Sequence, residues 1–433
     1  MGGLSLDVRD GWSRDEVLTL QRRRLRALLA HATASSPYYR EVLGPHAPDR
    51  PLAELPVLTK ATLMAQFDRI VCDPRLHLAD LEAHLAGNDP GRPFLGAFRV
   101  ATTSGTTGRR AIVAFTEREA TVWRAVTDRA GLRAGITPGT RVTVIGSPSP
   151  AHLTRQVLGS RPGAPVGLTA ATPLPRLVAA LDEQQPEALI CAAGLGSVLA
   201  DEQVAGRLHI TPRIVVFGSE GLSPDLRRRV RAAWGVAAVS MYAATEAPVL
   251  ASSTPAHPDL EVAEDVVVVE VVDEDDRPVP EGTPGAKVLV TNLVDRAQPL
   301  IRYELTDSVT VSPRPNPAGR PWRCLASVDG RTTDILHLPG RDVPMVPVHP
   351  SVLGAAVAPF PEVRQYAFVH DGLGLHTRIV VGPGAPADVP DRLRAALGAA
   401  LAAAGAVPPP VDVVLVPALD PAPGEKFLLV RSA

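Results

Sequence analysis

The sequence predicts an α/β protein with a large N-terminal domain, residues 1–329, and a small α+β C-terminal domain, residues 330–433. From about residue 100, buried strand-like runs alternate with helical stretches, the pattern of a mostly parallel sheet covered by helices on both faces. A β-hairpin or barrel-like part follows, and beyond Asp329 the pattern changes to short strands and one Ala/Leu-rich helix. With 433 residues, the chain is also too long for one small core.

Composition and charge exclude several classes of partner. The formal net charge is −2, from 44 Lys and Arg against 46 Asp and Glu, which predicts neither a nucleic acid nor an anionic membrane as partner. Cys72, Cys191 and Cys324 lie far apart, so we expect no disulfide framework and no metal cluster of the CxxC type. No stretch approaches the roughly 20 apolar residues of a membrane span, and the N-terminus lacks a signal-peptide pattern. We therefore expect a cytoplasmic protein.

The first predicted element is a helix over residues 17–33. Ser13 and Glu16 form a capping box ahead of it, and an apolar stripe of leucines faces an arginine-rich side. We interpret those arginines as a solvated face rather than a phosphate site; they are Arg22, Arg23, Arg24 and Arg26.

The next region alternates strands and helices. The strand-like runs are VTVIGS (142–147), EALICAAG (187–194), RIVVFGSEG (213–221) and AAVSMYAATE (237–246). Each runs into a loop of small or polar residues, and ligands gather at such carboxyl ends of parallel strands. The helical stretches are residues 117–130, behind a Thr116/Glu119 capping box, residues 175–184 and residues 225–233.

The later elements are antiparallel or short. Residues 266–293 alternate β-branched runs with an acidic Pro/Gly turn, which predicts antiparallel hairpins. The C-terminal domain is predicted to contain strands at residues 366–370, 377–381 and 411–416, and a helix over residues 390–404.

The glycine-rich run TSGTTGRRA, residues 103–111, joins two predicted strands of a hairpin, FRVATTSG and AIVAFT. Glycines let the backbone turn tightly, so that N–H groups and the hydroxyls of Thr103, Ser104, Thr106 and Thr107 point at one anion. The spacing is not that of a Walker A loop, and no helix follows. Taken alone, the run is either a phosphate-binding loop or a polar turn without a ligand.

Together with further motifs, this run resembles the adenylate-forming superfamily, and more closely its phenylacetate-CoA ligase-like branch, across nearly the whole chain. Six elements occur in the family's order: TSGTTGR (103–109), FGSEG (217–221), MYAATE (241–246), RYELTD (302–307), GRTTD (330–334) and GEKFLLVR (424–431). The N-terminal stretch LQRRRLRALLAHATASSPYYR (20–40) is also similar to this branch. The resemblance implies that the small domain is mobile about the GRTTD hinge.

The resemblance implies a nucleotide site built from several motifs. The phosphate loop would cover the β- and γ-phosphates of ATP with Thr103, Ser104, Gly105, Thr106, Thr107, Gly108 and Arg109. The adenine would lie against Gly218, Ser219, Glu220, Gly221, Tyr242 and Ala243. Asp307 would accept the ribose hydroxyls, and Arg331 would lie near the ribose or the α-phosphate. The alternatives are a turn or helix-capping role for Asp307, a hinge ion pair for Arg331 and core packing for Tyr242.

The resemblance also implies three catalytic residues. Glu246 would coordinate Mg²⁺, a hard cation that suits carboxylate and phosphate oxygens; the alternative is an acid on a surface loop. Thr245 would donate its hydroxyl to the α-phosphate. Lys426 would stabilise the negative charge that builds at the α-phosphate, unless it is a solvated charge of the C-terminal tail. The implied cofactors are ATP and Mg²⁺, with coenzyme A in the second half-reaction.

Four departures from the family pattern bear on function. Arg109 and Arg110 stand where the branch has Lys-Pro, and Ala243 or Ala244 replaces a glycine, which narrows the acyl pocket by about one methyl group. Thr333 replaces the first hinge aspartate, and Lys426 is displaced by one residue from the preceding glycine. These changes leave the activation of the acid with ATP intact and put the transfer of the acyl group to coenzyme A in question.

The leading hypothesis is ATP-dependent activation of a carboxylic acid as acyl-AMP, followed by transfer to coenzyme A. In the second hypothesis, the acyl group of the adenylate is transferred to an amine or to the thiol of a carrier protein. In the third, the chain is a nucleotide-binding homologue without turnover. The expected partners are a small carboxylic acid and one of these acceptors, and the assembly considered is a homodimer.

The predicted pocket segments are residues 146–156, 192–197 and 243–248, where few aromatic residues occur. This scarcity disfavours a tight phenyl slot. His152, Arg155 and Gln156 would meet a polar or acidic substrate, or form a solvated helix start.

Overall fold

The computed structural model describes residues 7–103, 111–147, 149–158, 168–170, 172–218, 222–331, 336–341, 344–348, 350–357, 359–360, 362–382, 384–417, 419 and 430–432. Across these residues, no helix is both long and apolar enough to cross a membrane. The fold is a mixed α/β arrangement with one large sheet and several smaller ones.

The N-terminal region is helical, and its predicted capping box is confirmed. Helix α1 (Arg14–Ser35) begins after Ser13, whose hydroxyl accepts from the Glu16 amide while the Glu16 carboxylate accepts from the Ser13 amide. Arg22, Arg23 and Arg26 are exposed as predicted, but Arg24 turns inward and donates to the main-chain oxygen of Asp265. The following helices are α2 (Pro37–Leu43), α3 (Lys60–Ala65), α4 (Phe67–Ile70) and α5 (Leu78–Ala86).

A two-stranded hairpin flanks the glycine-rich run, as the sequence predicts. Strands β1 (Phe98–Thr102) and β2 (Ile112–Thr116) pair antiparallel, with Thr102 opposite Ile112. Helix α6 (Glu117–Arg133) follows directly, and its predicted Thr116/Glu119 capping box is present.

The alternating region forms parallel strands separated by helices. Its elements are β3 (Val142–Val144), α7 (Leu174–Gln184), β4 (Ala188–Ala192), α8 (Ala193–Val204), β5 (Ile214–Gly218), α9 (Pro224–Trp234) and β6 (Ala238–Ala244). Strands β3 to β6 are paired in parallel and in sequence order. Both faces are covered, because Val215 and Phe217 of β5 join one apolar cluster while Ile214 and Val216 join another.

The rest of the large sheet is antiparallel. Its order is β12-β13-β8-β7-β6-β5-β4-β3, so the parallel part is confined to one half. The added strands are β7 (Ala247–Ser252), β8 (Leu260–Val262), β12 (Asp307–Val311) and β13 (Cys324–Arg331). A separate sheet contains the predicted hairpin strands β9 (Val267–Val272) and β10 (Lys287–Asn292), with β11 (Tyr303–Leu305) beside β10.

The C-terminal residues have an apolar core of their own, which includes Leu338, Phe368 and Leu397. Its elements are β14 (Leu336–Pro339), β15 (Met345–Val348), α10 (Pro350–Val357), β16 (Val363–His370), β17 (Leu375–Val381), α11 (Val389–Ala403), β18 (Val411–Leu415) and β19 (Val430–Ser432). Strands β18, β17, β16 and β19 form one sheet against which α11 packs. The domain boundary between residues 329 and 330 remains a prediction.

One predicted loop is helical. The run EALICAAG (187–194) is predicted to pass from a strand into a small-residue loop, yet α8 begins at Ala193, directly after β4. Alanine and leucine favour a helix here, and Gly196 lets α8 approach Phe217, since a Cβ on Gly196 would lie 2.0 Å from Cε1 of that ring. The small residues in this segment therefore serve close packing of a helix on the sheet.

Candidate functional site

Several predicted site residues lie around the carboxyl ends of two neighbouring parallel strands. Strand β5 ends at Gly218, and β6 ends at Ala244 after Tyr242 and Ala243. Thr245 and Glu246 are the two residues of the turn between β6 and β7, since Ala244 pairs with Ala247. The sheet topology thus places the MYAATE motif beside the end of β5.

Glu246 is a buried carboxylate held from two sides. It is 5% exposed, and Oε1 accepts a hydrogen bond of 2.9 Å from the hydroxyl of Tyr303. Its main-chain oxygen accepts one of 3.0 Å from Nδ2 of Asn292. Glu246 is therefore not the surface acid that was the sequence alternative.

The surroundings of Glu246 act on the charge of its carboxyl in both directions. Burial raises the pKa of this carboxyl above its ordinary value, and the negative charge of Asp307 raises it further. Its own main-chain amide, the Tyr303 hydroxyl and the positive charge of Lys60 act in the opposite direction. A divalent cation would favour the ionised carboxylate in the same way as Lys60 does, so this donor fits Mg²⁺.

Asp307 lies at the start of β12, where three predicted residues meet. Its Oδ2 accepts a hydrogen bond of 2.7 Å from the hydroxyl of Tyr242, and its main chain lies opposite Arg331 in the β12–β13 pair. Asp307 is therefore the first residue of a strand, and none of the described helices begins next to it in the sequence. Tyr242 is 8% exposed and belongs to the main apolar cluster, so its ring packs in the core while its hydroxyl reaches Asp307.

Lys60 is a site residue that the sequence alone does not indicate. Its segment is attached to β11 because the Leu58 amide donates to the Arg302 oxygen and the Glu304 amide donates to the Leu58 oxygen, each at 3.0 Å. Lys60 begins α3, and its charge acts on Glu246. A lysine in the first turn of a short helix is ordinary, so only the tertiary pairing of residue 58 identifies it.

Thr103 closes the base of the glycine-rich loop. Its amide donates to the Ala111 oxygen at 3.0 Å, and its hydroxyl oxygen accepts from the Ala111 amide at 2.9 Å. The other predicted residues of the phosphate loop lie outside the described residues; they are Ser104, Gly105, Thr106, Thr107, Gly108 and Arg109. The same holds for Ser219, Glu220 and Gly221 of the predicted adenine loop and for Lys426. The side chain of Arg331 is also outside them, as is Thr333.

The predicted acyl-pocket segment is only partly solvated. Gln156 is 1% exposed and donates from Nε2 to the Pro150 oxygen at 2.9 Å, so it does not belong to a solvated helix start. Nδ1 of His152 lies 2.9 Å from Oγ1 of Thr154, and Arg155 is exposed. The expectation that these residues meet a polar substrate stays a prediction.

A family comparison agrees with this site. Residues 99–291 match the family model described as AMP-binding enzyme, a range that runs from β1 into β10 and contains Glu246. Together with the relative named next, this match indicates an AMP-forming CoA ligase. The chain is similar to the phenylacetate-coenzyme A ligases: it is 27% identical to the one from Thermus thermophilus over 367 residues, which cover 81% of this chain and 77% of the relative.

Solved structures agree on the fold. A 2-hydroxyisobutyryl-CoA ligase in its postadenylation state has a TM-score of 0.74 at 21% identity, covering 100% of this chain and 91% of that chain. The same ligase in its thioesterification state has a TM-score of 0.60 at 20% identity, covering 98% and 91%.

Proposed function

We propose that this chain activates a carboxylic acid with ATP and passes the acyl group to coenzyme A. A carboxylate oxygen attacks the α-phosphorus, the bond from that phosphorus to the bridging oxygen breaks, and pyrophosphate leaves. The coenzyme A thiol, on losing its proton, then attacks the acyl carbon and AMP leaves. The products are a thioester, AMP and pyrophosphate.

The observation that carries the proposal is the position of two carboxylates at the carboxyl end of β6: Glu246 lies in the turn that follows this strand, and Asp307 accepts a hydrogen bond of 2.7 Å from Tyr242 of the same strand. Two carboxylates and one cation lie close enough for the charges of Asp307 and Lys60 to act on the pKa of Glu246. Acceptors for ribose hydroxyls, a carboxylate for a metal ion and a cation for phosphate oxygens are what a nucleoside triphosphate requires. The AMP-binding match and the phenylacetate-CoA ligase homologues support the same assignment.

Each residue has a role that its surroundings allow. Asp307 accepts the two ribose hydroxyls, and Tyr242 orients that carboxylate through its 2.7 Å hydrogen bond. Glu246 holds Mg²⁺, which when bound neutralises the phosphate charge and polarises the phosphate oxygens. Lys60, whose charge acts on Glu246, adds a second positive charge for the phosphates. Thr245 donates its hydroxyl to the α-phosphate.

Lys426 is proposed to reach the α-phosphate from the C-terminal domain. Strand β18 ends at Leu415, and β19 resumes at Val430, parallel to β16. These two strands fix the ends of the segment that contains Lys426. A lysine ammonium at the α-phosphate stabilises the charge that develops in the transition state.

The first test is pyrophosphate release from ATP and Mg²⁺ with a panel of aliphatic, hydroxylated, aromatic and amino acids. We expect release with at least one acid and none without an acid. Lys426→Ala should abolish this release while ATP binding, measured by calorimetry, persists. Absence of release with every acid would support the hypothesis of a homologue without turnover.

The second test identifies the acceptor. The enzyme-bound adenylate is chased with coenzyme A, with amines and with a phosphopantetheinylated carrier protein, and the acyl products are separated by mass spectrometry. We expect the thioester of coenzyme A. Exclusive transfer to an amine or a carrier protein would replace the second half-reaction of the proposal and leave the first intact.

A further inference from the structure

Two buried tyrosines each donate a hydrogen bond to one of the two site carboxylates. The Tyr303 hydroxyl donates to Oε1 of Glu246 at 2.9 Å, and the Tyr242 hydroxyl donates to Oδ2 of Asp307 at 2.7 Å. Both rings are buried, at 1% and 8% exposure. The two pairs are chemically alike but act on carboxylates with different predicted ligands.

The Tyr303 ring is fixed by its strand. Tyr303 begins β11, where it pairs with Val290 of β10. On the other side, Leu58 exchanges main-chain hydrogen bonds with Arg302 and Glu304, the two neighbours of Tyr303. A ring buried in the main apolar cluster with both neighbours paired has little freedom, so its hydroxyl is held at one place.

The main chain of Glu246 is fixed as well. Asn292 is fully buried, and its Nδ2 donates to the Glu246 oxygen at 3.0 Å and to Oδ2 of Asp295 at 2.6 Å. Oδ1 of Asn292 accepts from the amides of Val294 and Asp295 at 3.0 and 3.2 Å. With the main chain held by Asn292, the hydrogen bond from Tyr303 helps to orient the Glu246 carboxylate, together with the main-chain amide of Glu246 itself.

We propose that Tyr303 is a positioning residue for the metal site: its hydroxyl orients the Glu246 carboxylate for Mg²⁺. The inference rests on the proposed function, because it takes Glu246 as the metal ligand. A ligating carboxylate that is already oriented loses less freedom when the cation binds, and removing such an outer partner weakens metal affinity about 10–100-fold. A tyrosine with a purely structural role would affect stability without affecting the metal requirement.

The test compares Tyr303→Phe with Tyr242→Phe. Calorimetry measures ATP binding at rising Mg²⁺ concentrations, AMP binding without metal, and the melting temperature of each variant. We expect Tyr303→Phe to raise the Mg²⁺ concentration for half-maximal ATP binding about tenfold and to leave AMP affinity unchanged. Tyr242→Phe should weaken AMP binding and leave the Mg²⁺ requirement unchanged, because it removes the hydrogen bond that orients Asp307.

Tyr39→Phe is the control for the loss of a buried tyrosine hydroxyl. Tyr39 is 2% exposed and donates to the Pro299 main-chain oxygen at 2.8 Å, so its partner is not a carboxylate. It should lower the melting temperature and leave the Mg²⁺ requirement unchanged. The inference is overturned if Tyr303→Phe behaves like Tyr39→Phe.

A double-mutant cycle with Glu246→Gln provides the second arm. Glutamine keeps an oxygen for the Tyr303 hydroxyl but removes the charge that binds the cation. If Tyr303 acts through Glu246, adding Tyr303→Phe to Glu246→Gln changes the Mg²⁺ requirement no further. Additive effects would overturn the inference. A wild-type protein that binds Mg²⁺-ATP but releases no pyrophosphate would contradict the proposed function, and the binding experiment would still decide the inference.

Discussion

Asp307 shows how a single side chain connects two motifs of the sequence. It begins β12, it accepts from the Tyr242 hydroxyl of β6, and it lies opposite Arg331 of β13. Because one oxygen is turned by Tyr242, the carboxylate presents acceptors in a fixed direction, and ribose hydroxyls are donors that such a group binds. The ribose role can therefore be tested without the metal or the phosphates.

Asp307→Ala is expected to weaken AMP binding roughly a hundredfold, since two charge-assisted hydrogen bonds are worth about 3 kcal/mol together. Calorimetry with AMP measures the loss, and circular dichroism checks that the fold is retained. Ser308→Ala is the matched control. Ser308 follows Asp307 on β12, but its hydroxyl donates to the main-chain oxygen of Gly285. Equal AMP affinity in Asp307→Ala and the wild-type protein would exclude the ribose role.

The residue scale also shows what the sequence can and cannot predict. Glu246 and Asp307 are found from their motifs, because MYAATE and RYELTD resemble segments of the adenylate-forming superfamily that end in a functional carboxylate. The site roles of three further residues, Lys60, Asn292 and Tyr303, are not found from the sequence. They depend on long-range pairing: Leu58, two residues before Lys60, pairs with β11, which contains Tyr303, and Asn292 contacts Glu246. No local pattern encodes such contacts between residues so far apart in the chain.

At the scale of elements, the N-terminal segment is attached to the large domain by buried ion pairs. Asp265 is fully buried and binds the Arg129 guanidinium through both oxygens, at 2.9 and 2.7 Å, and it also pairs with Arg9. Burial alone would raise the pKa of Asp265, but Arg129 and Arg9 hold it below its ordinary value. The charge of Asp265 thus connects α6 to the residues before α1.

Asp265→Asn is expected to lower the free energy of unfolding by about 3–5 kcal/mol, because Arg129 is left buried without its charged partner. Chemical denaturation measures the change. The control is Glu41→Gln, whose ion pair with Arg69 is exposed and worth at most about 1 kcal/mol.

The pH dependence follows from the lowered pKa of Asp265. Its stabilising contribution is complete above the pKa of an unfolded aspartate and is lost as the pH falls through the lower folded value. The wild-type protein should lose more stability on acidification than Asp265→Asn does. A variant as stable as the wild type at neutral pH would show that this network contributes nothing.

Gly196 couples helix α8 to the end of β5. A Cβ at this position would lie 2.0 and 2.6 Å from Cε1 and Cζ of Phe217, the residue before Gly218. Gly196→Ala should destabilise the protein by about 1–3 kcal/mol through overpacking and should weaken ATP binding by shifting the β5 end. Thermal melts and calorimetry measure both effects.

Gly398→Ala is the matched control for a helical glycine. A Cβ at Gly398 of α11 would meet nothing within 4 Å, so alanine there should stabilise by up to about 1 kcal/mol. If Gly196→Ala neither destabilised the protein nor weakened ATP binding, Phe217 would have room to move, and the close packing of α8 on β5 would not constrain the site.

Local signals account for most of the elements that the sequence predicts correctly. The two capping boxes at Ser13 and Thr116, and the alternation of apolar strands with helices, depend on neighbours within a few residues. The start of α8 at Ala193 was missed because alanine and glycine after a strand suit both a loop and a helix. What decides between them is the contact of Gly196 with Phe217, which is tertiary.

At the scale of the whole molecule, two separate cores meet at few described contacts. Helix α8 approaches β16 of the C-terminal core, and the Arg229 guanidinium of α9 donates to the Val363 oxygen at 2.7 Å. Asp225 and Asp201 hold the same guanidinium at 2.8 and 3.1 Å, so its direction is fixed from the large domain. Gly330, at φ 108°, lies directly before the segment that joins the two cores and has a conformation that favours glycine.

Arg229→Ala is therefore expected to loosen the contact between the two cores. It removes one charge-assisted hydrogen bond, worth about 1.5–3 kcal/mol, which otherwise favours the present arrangement of the two cores over others. Fluorescence energy transfer between dyes on α9 and α11 should show a broader distance distribution, and proteolysis between residues 331 and 336 should be faster. Arg228→Ala is the control, because the neighbouring Arg228 is 59% exposed and pairs with Asp225. If both variants kept the wild-type distribution, Arg229 would not determine how the C-terminal core sits on the large domain, and the contacts of α8 with β16 and of α10 with β13 would remain among the described ones that could.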